Sequence, residues 1–164
     1  MTDILTNSNI MDEKIIVVLD FDDTIAINDT GYRFTEKDIP SLLEKMKKKD
    51  YQLFISSRNL TYKVVKALKK LAIFKYFTDI FVDFRPKKYH IRQLIMELTD
   101  LNVKPKMIVF VDDFLENCLS VSSLKEEYNF QIISIKYELK TSLKQIFTLL
   151  INSDFEKLLS LVNV

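Results

Sequence analysis

The sequence predicts an α/β fold: a Rossmann-like three-layer sandwich around a central parallel five-stranded sheet, in a single domain with no large cap domain. Three observations predict it. Ile15 to Leu19 is an unbroken run of five apolar residues, four of them β-branched. It has the length of a strand and lacks the alternation of a half-exposed one, so it reads as a strand buried on both faces. Strand-like and helix-like stretches then alternate five times, the pattern of βαβ units. Finally, the strand-like runs end in polar groups of one chemical theme, at Asp20-Phe21-Asp22-Asp23-Thr24, Ser56-Ser57-Arg58 and Asp112-Asp113. Parallel strands bring such ends to one sheet edge, where open α/β sheets bind their ligands.

Taken in order, residues 1–13 read as a flexible N-terminal tail and residues 14–164 as the domain. Thr24 to Phe34, with the only glycine, Gly31, reads as a loop or short flap. Thr35 with Asp38 resembles a capping box that opens a helix through Leu42, Leu43 and Met46 to Lys49. Tyr51 to Ile55 is a second strand. Val64, Val65, Leu68, Leu71 and Ala72 repeat at helical spacing. A short strand follows at Asp79 to Val82, and Pro86 suits the first turn of a helix through Ile91, Leu94, Ile95 and Leu98. Met107 to Val111 is another buried-type strand, Leu115 to Glu127 a helix, and Phe130 to Lys136 the last strand. Two amphipathic segments close the chain over 139–164, with Asn152-Ser153-Asp154 between them. Their apolar stripes suit core packing, with a homodimer surface as the other reading.

Composition bounds the function. The 164 residues are 48% hydrophobic and 29% charged, and 24 Lys and Arg nearly cancel 23 Asp and Glu. No global field therefore argues for nucleic acid or an anionic membrane. One cysteine excludes an intrachain disulfide framework and suits a reducing compartment. A single histidine disfavours zinc chemistry of the usual His/Cys kind. The polar, acidic start has no apolar signal core, and no run is long enough to span a bilayer, so the expected location is cytoplasmic.

The chemistry lies in the strand ends. Asp20, Asp22 and Asp23 crowd three carboxylates where the chain must turn, which is costly unless a cation sits among them. Carboxylates with oxygen ligands and waters suit Mg²⁺. A hydroxyl, a lysine (Lys87 or Lys88) and a metal ion are what a transferring phosphoryl group needs around its equatorial oxygens. One carboxylate can then act as nucleophile beside a second that serves as general acid and base.

With these residues in view, the chain resembles the haloacid dehalogenase-like phosphatases. Asp20-Phe21-Asp22-Asp23-Thr24 behind an apolar strand looks like their first motif. A serine after the second strand, a lysine before a helix and Asp112-Asp113 after the fourth strand match the other three in order. The resemblance covers roughly residues 15–136. Ser57-Arg58, Pro86-Lys87 with His90 a turn on, and Asp112-Asp113 followed by Asn117 are most similar to the capless magnesium-dependent phosphatase family. Domains that handle carrier-bound glyceryl groups are also similar.

The resemblance implies a Mg²⁺-dependent phosphomonoesterase. Asp20 would be the nucleophile that becomes phospho-aspartate, and Asp22 the general acid and base. Ser57 would bind the phosphoryl group, with Ser56 as its rival, and Lys87 would balance charge. Arg58 and Thr24 are further candidates for substrate contact. Mg²⁺ would be held by Asp20, the backbone carbonyl of Asp22 and Asp112, with Asp113 supporting. An insertion between Thr24 and Tyr51 that holds only one helix leaves the site open, which suits a phosphoprotein, a nucleic-acid end or a small molecule. Asp23 departs from the family pattern, where many members carry glycine.

Blander readings stand beside each of these. Asp112 or Asp113 could cap a helix, Lys87 or Lys88 could be a solvated first-turn lysine, and Arg58 could pair on the surface. Asn117 reads as support for the acidic loop, His90 as structural and Cys118 as a buried, inert thiol. Lys45, Lys47, Lys48 and Lys49 suit the C-terminal end of a helix dipole. Rival functions are a receiver-like phosphate-accepting module using Asp79 or Asp83 with Lys136, a pseudophosphatase binding module, and phosphoryl-linked group transfer.

Overall fold

The computed structural model describes residues 12–162. Its strands are β1 (Asp12–Leu19), β2 (Ala26–Asn28), β3 (Tyr32–Phe34), β4 (Gln52–Ser57), β5 (Asp79–Val82), β6 (Val103–Asp112) and β7 (Gln131–Lys136). Its α-helices are α1 (Ile39–Lys48), α2 (Thr61–Lys70), α3 (Lys87–Asp100), α4 (Leu115–Ser122), α5 (Leu143–Ile151) and α6 (Phe155–Ser160). The main sheet has five parallel strands in the order β5-β4-β1-β6-β7, and β2 and β3 form a separate antiparallel hairpin.

The unbroken apolar run of β1 explains the layers. Ile15, Val17 and Leu19 enter one core with residues of α1, α2 and α5, while Ile16 and Val18 enter a second core with residues of α3 and α4. Alternate residues of a strand face opposite sides, so a central strand must be apolar throughout. The chain winds outward from β1 through β4 to β5, then returns past β1 to β6 and β7. The crevice at that reversal, outside the carboxyl ends of β1 and β6, is a topological switch point. Leu19 is in register with Ile55 and Val111. Asp20, Ser56 and Asp112 each stand one residue further on, at one edge.

This order removes the receiver-like rival. Receiver-type sheets place the third strand beside the first, whereas here β5 is the edge strand and β4 separates it from β1. Asp79 opens and Asp83 follows this edge strand, which is separated from β1 by β4.

Several local expectations need correction. Of the expected tail, residues 1–11 lie outside the described residues, while Asp12 and Glu13 already pair with Val103 and Lys104. The expected loop at Thr24 to Phe34 contains the β2–β3 hairpin, turned at Asp29, Thr30 and Gly31; Gly31 has φ +127°, a conformation that favours glycine. The capping box at Thr35 and Asp38 does not form. Thr35 Oγ1 donates to the backbone oxygens of Thr24 (2.7 Å) and Ile25 (3.1 Å), and Asp38 makes no side-chain cap. Glu36 instead accepts from the backbone N–H groups of Leu143 (2.7 Å) and Lys144 (3.1 Å), at the start of α5. Helix α4 ends at Ser122, and the chain turns through to Glu127. Strand β6 begins four residues before Met107 because Val103 to Pro105 pair only with β1, across a register shift at Lys14/Ile15.

The apolar stripe of α5 lies inside the domain: Leu143, Ile146, Phe147 and Leu150 are fully buried. Lys49 Nζ, at the end of the lysine run, donates to the oxygen of Ile151 at 2.7 Å and ties the end of α5 to α1. No described helix is long and apolar enough to cross a membrane. Phe147→Ala should lower unfolding free energy by about 3–5 kcal/mol with an unchanged denaturant slope. A loss near zero in urea unfolding would mean that this stripe is not part of the domain core.

Candidate active site

The edge where β1 and β6 end is built around a buried cation. Lys87, the first residue of α3, has no exposed surface. Its Nζ lies 2.9 Å from Asp20 Oδ1 and 3.1 Å from Asp112 Oδ2, and it also donates to the backbone oxygen of Ser56. Burying an ammonium is costly unless it is paired and hydrogen-bonded, and here three oxygens from three strand ends surround it. Lys88 takes no part; its backbone N–H donates to Ser120 Oγ and its ammonium lies over the Tyr89 ring.

One lysine does not balance the site. Asp20, Asp112 and Asp113 each bring a carboxylate oxygen within 4.8 Å of the others. Burial pushes the Asp20 carboxyl up to about 8; Lys87 opposes the rise, and Asp112 and Asp113 add to it. Burial also raises Asp113, with Asp112 reinforcing the rise and the hydrogen bonds from Asp20 and Thr24 opposing it. Three hard oxygen donors with excess negative charge suit Mg²⁺ and not a thiolate- or imidazole-seeking metal. The residues therefore fit the expected ion. Asp112 is further fixed by Asn117 Nδ2 (3.0 Å) and the backbone N–H of Phe114 (2.9 Å), so Asn117 does support the acidic loop.

Thr24 is not a substrate contact. It is fully buried, and its hydroxyl lies 3.0 Å from Asp20 Oδ2 and 3.2 Å from Asp113 Oδ1 while accepting from the Asp113 N–H at 3.1 Å. It positions two carboxylates. Asp22 lines the same cleft but is not one of the three clustered carboxylates. Its Oδ1 accepts from Tyr32 Oη (3.0 Å) and its Oδ2 from Asn59 Nδ2 (2.8 Å). Neither Tyr32 nor Asn59 was singled out from the sequence, since each becomes a partner only through the hairpin and the β4–α2 turn. Asp23 stands in the left-handed region at φ 62°. Glycine adopts that conformation without strain, and Asp is among the side chains that tolerate it, so the departure at this position keeps the turn.

The two serines separate cleanly. Ser57 is 1% exposed, its Oγ has no hydrogen-bond partner among the described residues, and it lines a cleft of about 350 Å³ with Asp20, Asp22, Asp23, Lys87 and Asp113. A buried hydroxyl without a partner is an unmade hydrogen bond that a ligand can complete. Ser56 turns the other way, with Oγ 2.7 Å from His90 Nδ1. His90 Nε2 is in turn 2.8 Å from Asp83 Oδ1, and Asp83 also pairs with Arg85 at 2.7 Å. Burial lowers the His90 pKa against the pull of Asp83. This chain is structural, as expected for His90. Arg58 and Phe84 stand at the rim, where Arg58 Nε donates to the Phe84 oxygen at 3.2 Å. Burial pushes the Cys118 thiol up to about 12, which keeps it inert.

Over residues 34–123, more than half of the chain, the sequence matches the family model for haloacid dehalogenase-like hydrolases. The match contains Ser57, Lys87, Asp112 and Asp113; Asp20 and Asp22 precede it. No curated protein matches the sequence significantly. Among solved structures, a hydrolase of this superfamily from Ehrlichia chaffeensis superposes with TM-score 0.58 at 16% identity, covering 91% of this chain and 99% of that one. The core domain of a proposed phosphoglycolate phosphatase from Streptococcus pneumoniae TIGR4 gives TM-score 0.55 at 17% identity, covering 79% and 84%. At such identities the likeness is one of fold.

Two outcomes test the electrostatics. A carboxyl whose folded pKa is raised is more protonated in the folded than in the unfolded state, so its ionisation costs stability as pH climbs from about 4 to about 8. In chelator, Asp20→Asn should therefore gain stability relative to wild type across that window; a constant difference would contradict the uncompensated charge. At neutral pH, millimolar Mg²⁺ should raise the wild-type melting temperature, and Asp112→Asn should lose most of that rise.

Proposed function

Because the chain belongs to the haloacid dehalogenase-like hydrolase family, we propose that it is a Mg²⁺-dependent phosphomonoester hydrolase working through a phospho-aspartate on Asp20. One observation carries this reading: a buried carboxylate, a buried ammonium and an unpartnered serine hydroxyl face one cleft at the switch point of the sheet.

Asp20 would attack phosphorus while Lys87 and Thr24 hold its two oxygens. The ester bond breaks as the leaving oxygen takes a proton from Asp22, which Tyr32 and Asn59 aim from the hairpin side. Asp22 then takes a proton from the water that attacks the phospho-aspartate, releasing phosphate and restoring Asp20. Ser57 Oγ would donate to an equatorial phosphoryl oxygen, and Lys87 would offset the charge that collects there. Asp20, Asp112, Asp113 and the Asp22 carbonyl would hold Mg²⁺, which, when bound, neutralises the carboxylates and withdraws charge from the phosphoryl oxygens. Burial, with Asp112 and Asp113 adding to it, raises the Asp20 carboxyl, and a bound cation would oppose that rise and favour the ionised, nucleophilic form.

The cleft is lined by the strand ends with Arg58, Phe84, Phe114 and Asn117 at its rim, and the substrate's leaving group would extend past that rim.

Hydrolysis of p-nitrophenyl phosphate should require Mg²⁺ and fall at least about a thousandfold in Asp20→Asn. Ser57→Ala should lose about ten- to a hundredfold. Acid-quenched protein should carry an acyl-linked phosphate in wild type and none in Asp20→Asn. Hydrolysis that survives Asp20→Asn would sink the mechanism.

A further inference from the structure

A second groove lies beside the catalytic cleft, between the hairpin and helix α2. It measures about 370 Å³ and is lined by Lys63, Lys66 and Lys70 together with Tyr32 and Tyr62. The lysines stand at i, i+3 and i+7, which places them on one face of α2. All three are exposed, and among the described residues none of them forms an ion pair. Lys70 at the helix C-terminus has an ordinary explanation in the helix dipole, but Lys63 has the opposite one. It sits in the first turn, where a cation opposes the dipole, and that turn carries no acidic residue. Like charges at this spacing also repel. The face thus keeps a positive potential that its own helix does not relieve and that an external anion would.

The two tyrosines narrow the anion. Tyr62 is 65% exposed, and an exposed ring among lysines offers a stacking surface as well as a charge. Tyr32 is held in place: its ring lies 5.2 Å from Phe21, and its hydroxyl donates to Asp22. Since Asp22 lines the catalytic cleft and Tyr32 lines the groove, their hydrogen bond links the two depressions. Stacking rings along a basic track are the physical requirements of single-stranded nucleic acid; an acidic peptide would use the lysines alone.

We propose that the Lys63, Lys66, Lys70 and Tyr62 groove holds the backbone and a base of a single-stranded nucleic acid whose phosphorylated end enters the catalytic cleft. Binding in the groove stands by itself, whereas removal of the terminal phosphate rests on the phosphatase reading above.

The test is fluorescence anisotropy of a labelled oligothymidylate, about ten nucleotides long and without a terminal phosphate, with the full chain in Mg²⁺. Affinity should fall with a log–log salt slope of about −2, from three phosphate contacts. The Lys63→Gln/Lys66→Gln/Lys70→Gln triple variant should bind on the order of a hundredfold more weakly near 0.1 M salt, with a flattened slope. Tyr62→Ala should lose about five- to a hundredfold. These changes lie on an exposed helix face and replace lysine with another good helix former, so far-UV circular dichroism should match wild type. No anisotropy change in low salt, or equal affinity in the triple variant, would overturn the groove. Competition by oligoglutamate as effective as by unlabelled oligothymidylate, with Tyr62→Ala unaffected, would also overturn it in favour of an acidic peptide. Phosphate release from the 3′-phosphorylated oligomer should exceed that from thymidine 3′-monophosphate by about tenfold in kcat/KM. Equal rates would overturn the entry of the end into the cleft. Binding without release from either substrate would contradict the phosphatase reading and leave the groove standing.

Discussion

The burial of Lys87 between Asp20 and Asp112 is the constraint on which the rest of the site depends. A fully buried ammonium survives only where its partners are held rigidly, because loss of one partner leaves an uncompensated charge, at a cost of about 3–5 kcal/mol. The fold supplies that rigidity from three directions. Asp20 ends the central strand, Asp112 ends its neighbour on one side, and the carbonyl of Ser56 belongs to its neighbour on the other. The ammonium thus ties the ends of β1, β4 and β6 to the first turn of α3. The same arrangement leaves more negative than positive charge at the edge. The apolar core beneath and the neighbouring carboxylates raise Asp20 and Asp113, which connects the packing of the sheet to the chemistry proposed for its edge.

Around this centre, positioning is done in layers that reach outward. Thr24 spans Asp20 and Asp113, Asn117 and the Phe114 N–H fix Asp112, and Tyr32 and Asn59 fix Asp22. Behind β4, Ser56, His90, Asp83 and Arg85 form a chain that anchors the loop carrying Phe84. These groups lie close to the reactive carboxylates without all touching the cleft, so their effect is through orientation. The hairpin has a double part: it aims Asp22 through Tyr32, and it forms one wall of the basic groove on α2. A bound strand in that groove would press on the element that orients Asp22.

The charge pattern shows how a balanced composition can hide strong local fields. Near-equality of acidic and basic residues removes any global argument for a polyanionic partner, yet folding sorts the charges. Carboxylates gather at the ends of β1 and β6, and lysines without acidic partners gather on α2. Exposed charges more than about a Debye length apart, roughly 10 Å at 0.1 M salt, are largely screened. A partner therefore meets the local charge and not the sum.

By itself the sequence determined the architecture and the polar groups at its strand ends. The apolar run of β1, the alternation of helix and strand, and the acidic, hydroxyl and lysine endings were legible because burial on both faces and parallel strand ends leave a pattern within a few residues. Asp20, Asp112 and Asp113 could be placed at one edge from that pattern, with Ser56 or Ser57 and Lys87 or Lys88 as open alternatives. What only the tertiary structure decided were contacts that a local pattern cannot encode. It sent Ser56 to His90 and Ser57 to the cleft, two neighbours on one strand that face opposite ways. It brought Glu36 to the start of α5, made Thr24 a bridge between carboxylates, and brought Tyr32 and Asn59 to Asp22. Most of these partners are far apart in sequence, and Tyr32 reaches Asp22 only through the turn of the hairpin, so the choice among possible partners is made by packing and not by spacing.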